Sequence, residues 1–179
     1  MTSRPRFARQ TSVAECQTLL EIGPLLVPLG ADLRDVVRLV ARQSATRVIG
    51  VVDEAGRLAG VIPVTRVADS IIARVVPGAL LVDVADAETA TQFSHSMEDR
   101  VAADIMLAPA TTVLSDTIGD AFRVMHHRHL AGLYIVDADG RPTGYLDLLE
   151  LALVYVQALG DRASTEGHHA EGAGSDRTS

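Results

Sequence analysis

Two carboxylates near the carboxyl end of the chain have a spacing that would allow acid–base chemistry. Asp147 and Glu150 are three residues apart, which places both side chains on one face of a helix, where one can donate a proton and the other accept one. A surface or cleft pair without a catalytic role has the same spacing. No Gly-x-Ser-x-Gly, glycine-rich phosphate loop or His-Glu-x-x-His motif accompanies the pair, and we therefore predict that the chain is not an enzyme.

A second group that could do chemistry is histidine-rich. His126 and His129 would share a helix face and, with a carboxylate, could bind zinc. The alternative is that they are polar residues at a helix carboxyl end, where a protonated imidazole interacts favourably with the helix dipole. We favour the second interpretation and predict no metal site.

The composition excludes several classes of protein. The 179 residues carry a net charge of -7, which disfavours binding to a nucleic-acid duplex, and aromatic residues make up only 3%, which leaves few platforms for stacking single-stranded bases. The single cysteine, Cys16, forms no internal disulfide, and no apolar run is long enough to span a membrane. Polar residues follow the N-terminal arginines, so no signal peptide is indicated. We predict a soluble cytoplasmic protein in which Cys16 precedes the folded region.

The sequence contains an internal repeat. Residues 53–57 (Asp-Glu-Ala-Gly-Arg) return at 137–141 (Asp-Ala-Asp-Gly-Arg), and Gly60 returns as Gly144 at the same offset of 84 positions. Upstream, each copy has one set of apolar residues that follow helical spacing. These sets are Leu33, Val36, Val37 and Val40 in the first copy, and Ile118, Ala121, Phe122 and Met125 in the second. The chain is therefore a doubled unit.

Each copy predicts the same order of elements. A short strand at Leu25–Pro28 or Thr111–Leu114 comes first, followed by the periodic helix, for which Asp32 or Asp116 is the expected N-cap. Two strands joined by the Asp-x-x-Gly turn come next, at 48–52 and 58–62 or at 133–136 and 143–146. A closing helix follows, starting near Val64 in the first copy. Together the copies predict a pseudo-symmetric α/β (α+β) fold.

The closing helix of the second copy, Leu148–Leu159, is apolar around almost its whole circumference. One packing face cannot bury so many side chains, and exposing each Leu or Val would forgo roughly 1.5–3 kcal/mol. We predict that part of this helix contacts a second copy of the chain in a homodimer. The alternative is that the N-terminal arm covers it within one chain.

The repeat divides the chain into five segments. We predict an N-terminal arm over 1–21, a first domain over 22–76, an acidic linker over 77–104, a second domain over 105–159 and a disordered tail over 160–179. Within the linker, residues 85–97 could form an inserted helix, or the segment could be a solvated spacer.

The two copies resemble tandem CBS (cystathionine-β-synthase) domains, the pair called a Bateman module. The second copy carries the resemblance through Asp104-Ile105-Met106, Asp116-Thr117-Ile118, Leu133 to Asp137, and Gly144-Tyr145-Leu146. The first copy carries it through Leu33 to Val40, Val51-Val52-Asp53 and Gly60-Val61-Ile62. The resemblance spans about Leu25 to Leu159.

The resemblance implies a sensor. CBS pairs typically associate as dimers and bind adenosine ligands such as AMP, ADP, ATP or S-adenosylmethionine in clefts between their sheets. Ligand binding would change how the two repeats pack against each other, and this change would shift the conformational equilibrium of an associated protein. Both termini are short and polar, so we expect the regulated partner to be a separate protein. The alternative is a ligand-free dimeric scaffold whose clefts are closed.

The family's ribose motif is altered in both copies. In nucleotide-binding members a Ser or Thr follows the second strand, and an Asp three residues later takes the ribose hydroxyls. The first copy has Pro63 and Arg66 at these positions, and the second has Asp147 and Glu150. Asp147 is expected to repel a phosphate, whereas Arg66 could bind one.

The resemblance also gives the remaining cleft residues. Arg47 is expected to point at the cleft and, like Arg66, either contacts phosphate or forms a salt bridge, with Asp69 or Asp147 as candidate partners. Gly132 would give a ligand ring room, or would only permit close strand packing. The other residues expected to line the cleft are Thr46, Val48, Ala131 and Leu146.

Overall fold

The computed structural model describes residues 9–75 and 100–156, which form two repeats of the same architecture. Elements of the first half are α1 (Val13–Gln17), β1 (Leu26–Pro28), α2 (Leu33–Arg42), β2 (Val48–Val52), β3 (Leu58–Pro63) and α3 (Val64–Val75). Elements of the second half are α4 (Ala102–Ile105), β4 (Thr111–Thr112), α5 (Ile118–Arg128), β5 (Gly132–Val136), β6 (Pro142–Asp147) and α6 (residues 148–156). The predictions for the inserted helix and the tail lie outside the described residues.

Each repeat is built on a three-stranded sheet. The strand orders are β1-β2-β3 and β4-β5-β6, with the first pair parallel and the second pair antiparallel in each sheet. Gly56 and Gly140 turn the two hairpins at φ angles of 77° and 78°, which a residue with a Cβ rarely adopts. The predicted hairpins and helices are confirmed, and the α/β (α+β) class is correct.

One of the two predicted helix caps is wrong. Asp32 caps α2 as expected, accepting a 2.8 Å hydrogen bond from the backbone N–H of Arg34. Helix α5, however, is capped by Thr117 rather than by Asp116. Asp116 instead accepts hydrogen bonds from the Thr112 hydroxyl at 2.9 Å and the Val113 N–H at 3.0 Å. The second copy has two adjacent capping residues, and the one next to the helix takes the cap.

The two repeats exchange their leading helices. Val13 and Cys16 of α1 are fully buried in a core made mainly by the second repeat, whereas Ala102 and Ile105 of α4 pack into the core of the first. The prediction that Cys16 precedes the folded region is therefore wrong. Its helix is only five residues long and has weak apolar spacing, so no helical periodicity predicts it.

Burial makes Cys16 a reporter of this exchange. Loss of solvation raises the pKa of its thiol to about 11 from an ordinary value of 9.0. At pH 8 the thiolate fraction should therefore be about 100-fold smaller than in the unfolded chain, and labelling should be slower by at least that factor. A disulfide reagent such as dithionitrobenzoate, applied with and without denaturant, measures the ratio. Equal rates in both conditions would show that α1 is not packed.

Within residues 9–75 and 100–156, helix α6 is covered on one face only. Leu151 is fully buried and Leu148 and Val154 pack against the core, whereas three other apolar side chains are more than half exposed. These three are Leu149 at 57%, Leu153 at 56% and Val156 at 62%. The N-terminal segment contacts this helix through hydrogen bonds from Glu21 and Ile22 to Glu150, and the homodimer stays a prediction. Among the described residues, no helix has the length and apolarity to cross a membrane.

Candidate functional site

The two repeats meet through their central strands. The Tyr134 hydroxyl on β5 lies 2.8 Å from the Leu25 carbonyl oxygen and 3.0 Å from that of Val48, both in the first repeat. At the far end of the hairpins, the Leu58 N–H donates to the Gly140 carbonyl at 2.9 Å. These bonds fix the spacing of the two sheets.

This arrangement gives two sets of residues in equivalent positions, which the family resemblance identifies with its two clefts. The N–H of Val64 donates to the Arg47 carbonyl at 2.9 Å, and the N–H of Leu148 donates to the Ala131 carbonyl at 3.0 Å, so corresponding groups occupy corresponding places. We call one site the Glu150 cleft, formed by Gly23, Thr46, Arg47, Asp147 and Glu150. We give the name Arg66 cleft to the residues that the repeat places at or next to the corresponding positions: Pro63, Arg66, Ala108, Arg128, Ala131 and Gly132. The predicted site residues are thus divided between two places.

An ion pair spans the repeats in the Glu150 cleft. Arg47 Nη1 lies 2.9 Å from both carboxylate oxygens of Asp147. The Asp147 side chain is completely buried, whereas that of Arg47 is 37% exposed. Asp147 also begins α6, since it accepts hydrogen bonds from the N–H groups of Leu149 at 3.0 Å and Glu150 at 3.2 Å. The salt-bridge alternative for Arg47 is confirmed, with Asp147 as its partner.

The other polar groups of this cleft are bonded within the protein. Glu150, which aligns with the family's ribose-binding position, accepts hydrogen bonds from the backbone N–H groups of Glu21 and Ile22. Thr46 is 1% exposed, and its hydroxyl accepts a 2.8 Å bond from Gln43, whose amide also donates to the Gly23 carbonyl at 2.9 Å. Asp147 and Glu150 therefore have separate structural partners.

The Arg66 cleft has a different polar character. Arg66 is exposed and makes no hydrogen bond or ion pair with another described residue, so neither predicted partner is engaged by it. Arg128 donates to the Ala108 carbonyl at 2.8 Å, which is the counterpart of the Gln43 to Gly23 bond. Pro63 and Ala131 are half-buried.

A tyrosine hydroxyl fills the space beside Gly132. A Cβ at this position would lie 2.0 Å from Tyr145 Oη, so the residue must be glycine. Of the two interpretations of Gly132, room for a ligand ring or close strand packing, the structure shows close packing. Tyr145 is 2% exposed, and its hydroxyl lies beside the backbone of Arg47 and Val48 in the first repeat. Burial, together with the negative charge of Asp147, raises the pKa of Tyr145, so the phenol stays protonated at neutral pH.

Sequence reasoning did not assign a site role to either tyrosine. The rings of Tyr134 and Tyr145 lie 5.3 Å apart at 56°. At Gly50, the counterpart of Tyr134, a Cβ would lie 2.8 Å from the Tyr134 ring. The sequence feature that could have identified this contact is that Gly50 of the first copy aligns with Tyr134 of the second. Val48 and Leu146, by contrast, are predicted cleft residues whose side chains are core, at 1% and 0% exposure.

The histidines do not form a metal cluster in the described part of the chain. His126, His127 and His129 are exposed, and no group of three potential ligands is arranged around an ion among residues 9–75 and 100–156. His129 ends α5 with a φ of 52°, and its N–H bonds to the carbonyls of Met125 and His126. The described geometry is that of a helix terminus.

Comparison with protein families gives a match over most of the chain. The model of the CBS domain matches twice, at residues 11–73 and 101–156. The two matched ranges correspond to the two structural repeats, each with its leading helix. No curated protein matches this sequence.

Comparison with solved structures gives the same fold. A CBS domain-containing protein from Thermotoga maritima superposes with a TM-score of 0.65 at 19% identity, covering 82% of this chain and 95% of that one. The CBS domain pair of protein MJ0100, in complex with 5′-methylthioadenosine and S-adenosylmethionine, gives 0.59 at 14% identity over 82% and 97%. A CBS domain protein from Pyrobaculum aerophilum complexed with AMP gives 0.56 at 16% identity over 82% and 98%.

Proposed function

Because the chain belongs to the CBS-domain family, we propose that it is a regulatory module that binds an adenine nucleotide or a related metabolite in a cleft between its repeats. Two proteins of the same fold are complexed with AMP or with S-adenosylmethionine and methylthioadenosine. We further propose that the module is cytoplasmic, acts as a homodimer without catalytic activity, and reports its ligand state to a separate protein.

The observation that carries this proposal is the position of the inter-repeat contacts. The Arg47–Asp147 ion pair and the hydrogen bonds of Tyr134 join the first repeat to the second, and Arg47 of the ion pair is partly exposed. A ligand that enters there must change these contacts, and the repeats will shift to the arrangement that binds it better. Such a change is what a partner protein could detect.

A second candidate is a scaffold with closed clefts. In the Glu150 cleft, the carboxylates of Asp147 and Glu150 are both satisfied within the chain. Ligand binding at that site would have to displace the hydrogen bonds from Glu21 and Ile22. This observation favours closure of one cleft, although it does not extend to the exposed Arg66.

Ligand titration separates the two candidates. At a concentration 100-fold above Kd, a ligand should add about 2.7 kcal/mol to the free energy of unfolding, which is a rise in Tm of roughly 5–11 °C for a chain of this size. We expect that rise with AMP, ADP, ATP or S-adenosylmethionine in differential scanning fluorimetry. The pyrimidine nucleotide CMP serves as the control. No response to any of the four adenosine compounds would reject the sensing function in favour of the scaffold.

A further inference from the structure

A groove lies between α2 and α3 of the first repeat, and we propose that part of the acidic linker of the same chain docks in it. The docking segment is residues 93–99 (Phe-Ser-His-Ser-Met-Glu-Asp). Its apolar side chains, Phe93 and Met97, enter the groove, and its carboxylates, Glu98 and Asp99, meet the arginines of the groove. This inference goes beyond the proposed function, because it assigns a binding surface outside the clefts.

The groove combines apolar side chains with a buried hydroxyl. It has a volume of about 300 Å³ and is lined by Leu33, Arg34, Val37, Arg38, Ser70 and Ile71. Leu33 is 3% exposed and Ser70 is 2% exposed, and the Ser70 hydroxyl makes no hydrogen bond with another described residue. A buried hydroxyl without a hydrogen bond is unfavourable. The backbone of a segment in the groove can supply the missing bond.

The chain enters and leaves the linker beside this groove. Helix α3, which forms one wall of the groove, ends at Val75, where the first described range stops. The second range starts at Arg100, whose carbonyl accepts a 3.1 Å hydrogen bond from the N–H of Leu33 in the other wall. Residues 93–99 are therefore tied to the groove by the residue that follows them.

The second repeat shows the path of the equivalent segment. The Ile118 N–H, at the start of α5, donates to the Thr11 carbonyl at 2.9 Å, and the Gly119 N–H donates to the Arg9 carbonyl at 3.0 Å. The residues before α1 therefore cross the first turn of α5. Helix α4 is the counterpart of α1, so we expect the residues before α4 to cross the first turn of α2 in the same way.

This path brings an acidic residue to an unpaired arginine. Glu98 is the counterpart of Arg9, since each lies two positions before the residue whose carbonyl bonds the helix start, and Arg34 is the counterpart of Gly119. Arg34 is exposed and makes no ion pair with another described residue, whereas Arg38 pairs with an exposed carboxylate on its own helix. An ion pair between Glu98 and Arg34 therefore requires no existing ion pair to break.

The composition of the linker fits the groove. Residues 76–99 contain no lysine or arginine, and their acidic residues are Asp83, Asp86, Glu88, Glu98 and Asp99. Phe93 and Met97 are four positions apart, a spacing that places both on one face of a helical turn. The segment thus offers an apolar face followed by two carboxylates, which matches a groove with apolar walls and two arginines.

A disulfide trap in the full chain tests this docking. Ile71→Cys combined with Met97→Cys should form an intramolecular disulfide when copper–phenanthroline is added as the oxidant. Ile72→Cys with Met97→Cys is the matched control, because Ile72 is the next residue of α3 and is more exposed, at 45%, but does not line the groove. The control pair should react at least 10-fold more slowly. Cys16 is fully buried and should not compete.

Proteolysis gives a readout that needs no added cysteine. Docking should slow cleavage by chymotrypsin after Phe93, which mass spectrometry follows. Ile71→Glu places a carboxylate in the path of the acidic segment and should raise this rate at least 10-fold, whereas Ile72→Glu should change it less than 2-fold. Arg34→Glu should raise the rate at least 3-fold, and adding Glu98→Arg should restore it, because the exchange rebuilds the ion pair.

Three results would overturn the proposal. The first is equal reaction of the two cysteine pairs, and the second is cleavage of the wild type as fast as that of Ile71→Glu. The third is a disulfide between two chains, seen at twice the chain mass, which would assign the groove to a second copy. Circular dichroism melts establish that each variant is folded, and the cysteine pairs decide the matter if Ile71→Glu is not. Each of these results leaves adenosine sensing intact, because the groove lies outside the clefts.

Discussion

Replacing Arg47 with methionine is expected to lower the free energy of unfolding by about 3 kcal/mol. The substitution keeps an unbranched apolar stem but leaves the Asp147 carboxylate, which is completely buried, without its cation. Removing one partner of a buried ion pair typically costs about 3–5 kcal/mol. The low end applies here because Arg47 is 37% exposed and Asp147 keeps two backbone N–H donors. Urea unfolding measures the loss, and Tm should fall by roughly 6–12 °C.

A double-mutant cycle separates this loss from lost packing. Asp147→Asn alone should cost only about 1 kcal/mol, because asparagine can still cap α6 and Arg47 can turn to water. Combining it with Arg47→Met should recover about 2 kcal/mol relative to Arg47→Met alone, since no unpaired charge remains. Arg57→Met is the matched control, because Arg57 pairs with Asp53 at the exposed hairpin turn.

A loss in Arg47→Met no larger than that of the Arg57→Met control would contradict this account. So would additive effects in the double variant, because additivity means that the two residues do not interact. Either result would remove the ion pair from the contacts that join the repeats.

The doubled fold could be predicted because its signals are local. Helical spacing from Leu33 and Ile118, and the glycine of each hairpin turn, depend only on nearby residues. Where a local rule allowed two answers, the prediction was less secure. Asp116 and Thr117 are both good capping residues, and only the position at which the chain enters α5 decides between them.

The candidate site was less predictable because its contacts join distant parts of the chain. The sequence named Asp147 as one of two partners for Arg47, but burial of the pair depends on how the repeats pack. The hydrogen bonds from Glu21 and Ile22 to Glu150 join residues that are 129 and 128 positions apart in the sequence, so no local pattern predicts them. Tyr145 against Gly132 is also a tertiary fit, in which one strand leaves space for a side chain on its neighbour.

Helices α3 and α6 leave apolar side chains exposed in the single chain. Leu149, Leu153 and Val156 follow helical spacing on α6 and are each more than half exposed. Ile72, the counterpart of Val156 on α3, is 45% exposed, and Ile71 lines a groove of about 300 Å³ between α2 and α3. The equivalent helices of both repeats thus present apolar side chains, as a self-associating surface would.

Replacing both Leu149 and Leu153 with glutamate is expected to convert a homodimer into a monomer. Each buried leucine contributes roughly 1.5–3 kcal/mol, and a charge in its place adds a desolvation cost, so the dissociation constant should rise more than 100-fold. Light scattering after size exclusion should give twice the 19.0 kDa chain mass for the wild type and the chain mass for the variant. Leu149→Met with Leu153→Met is the control, which should remain dimeric. Because both positions are exposed in the single chain, the glutamate variant should keep its fold and its Cys16 protection. A wild type that runs as a monodisperse monomer, or a glutamate variant that stays dimeric, would show that this face of α6 is not the interface.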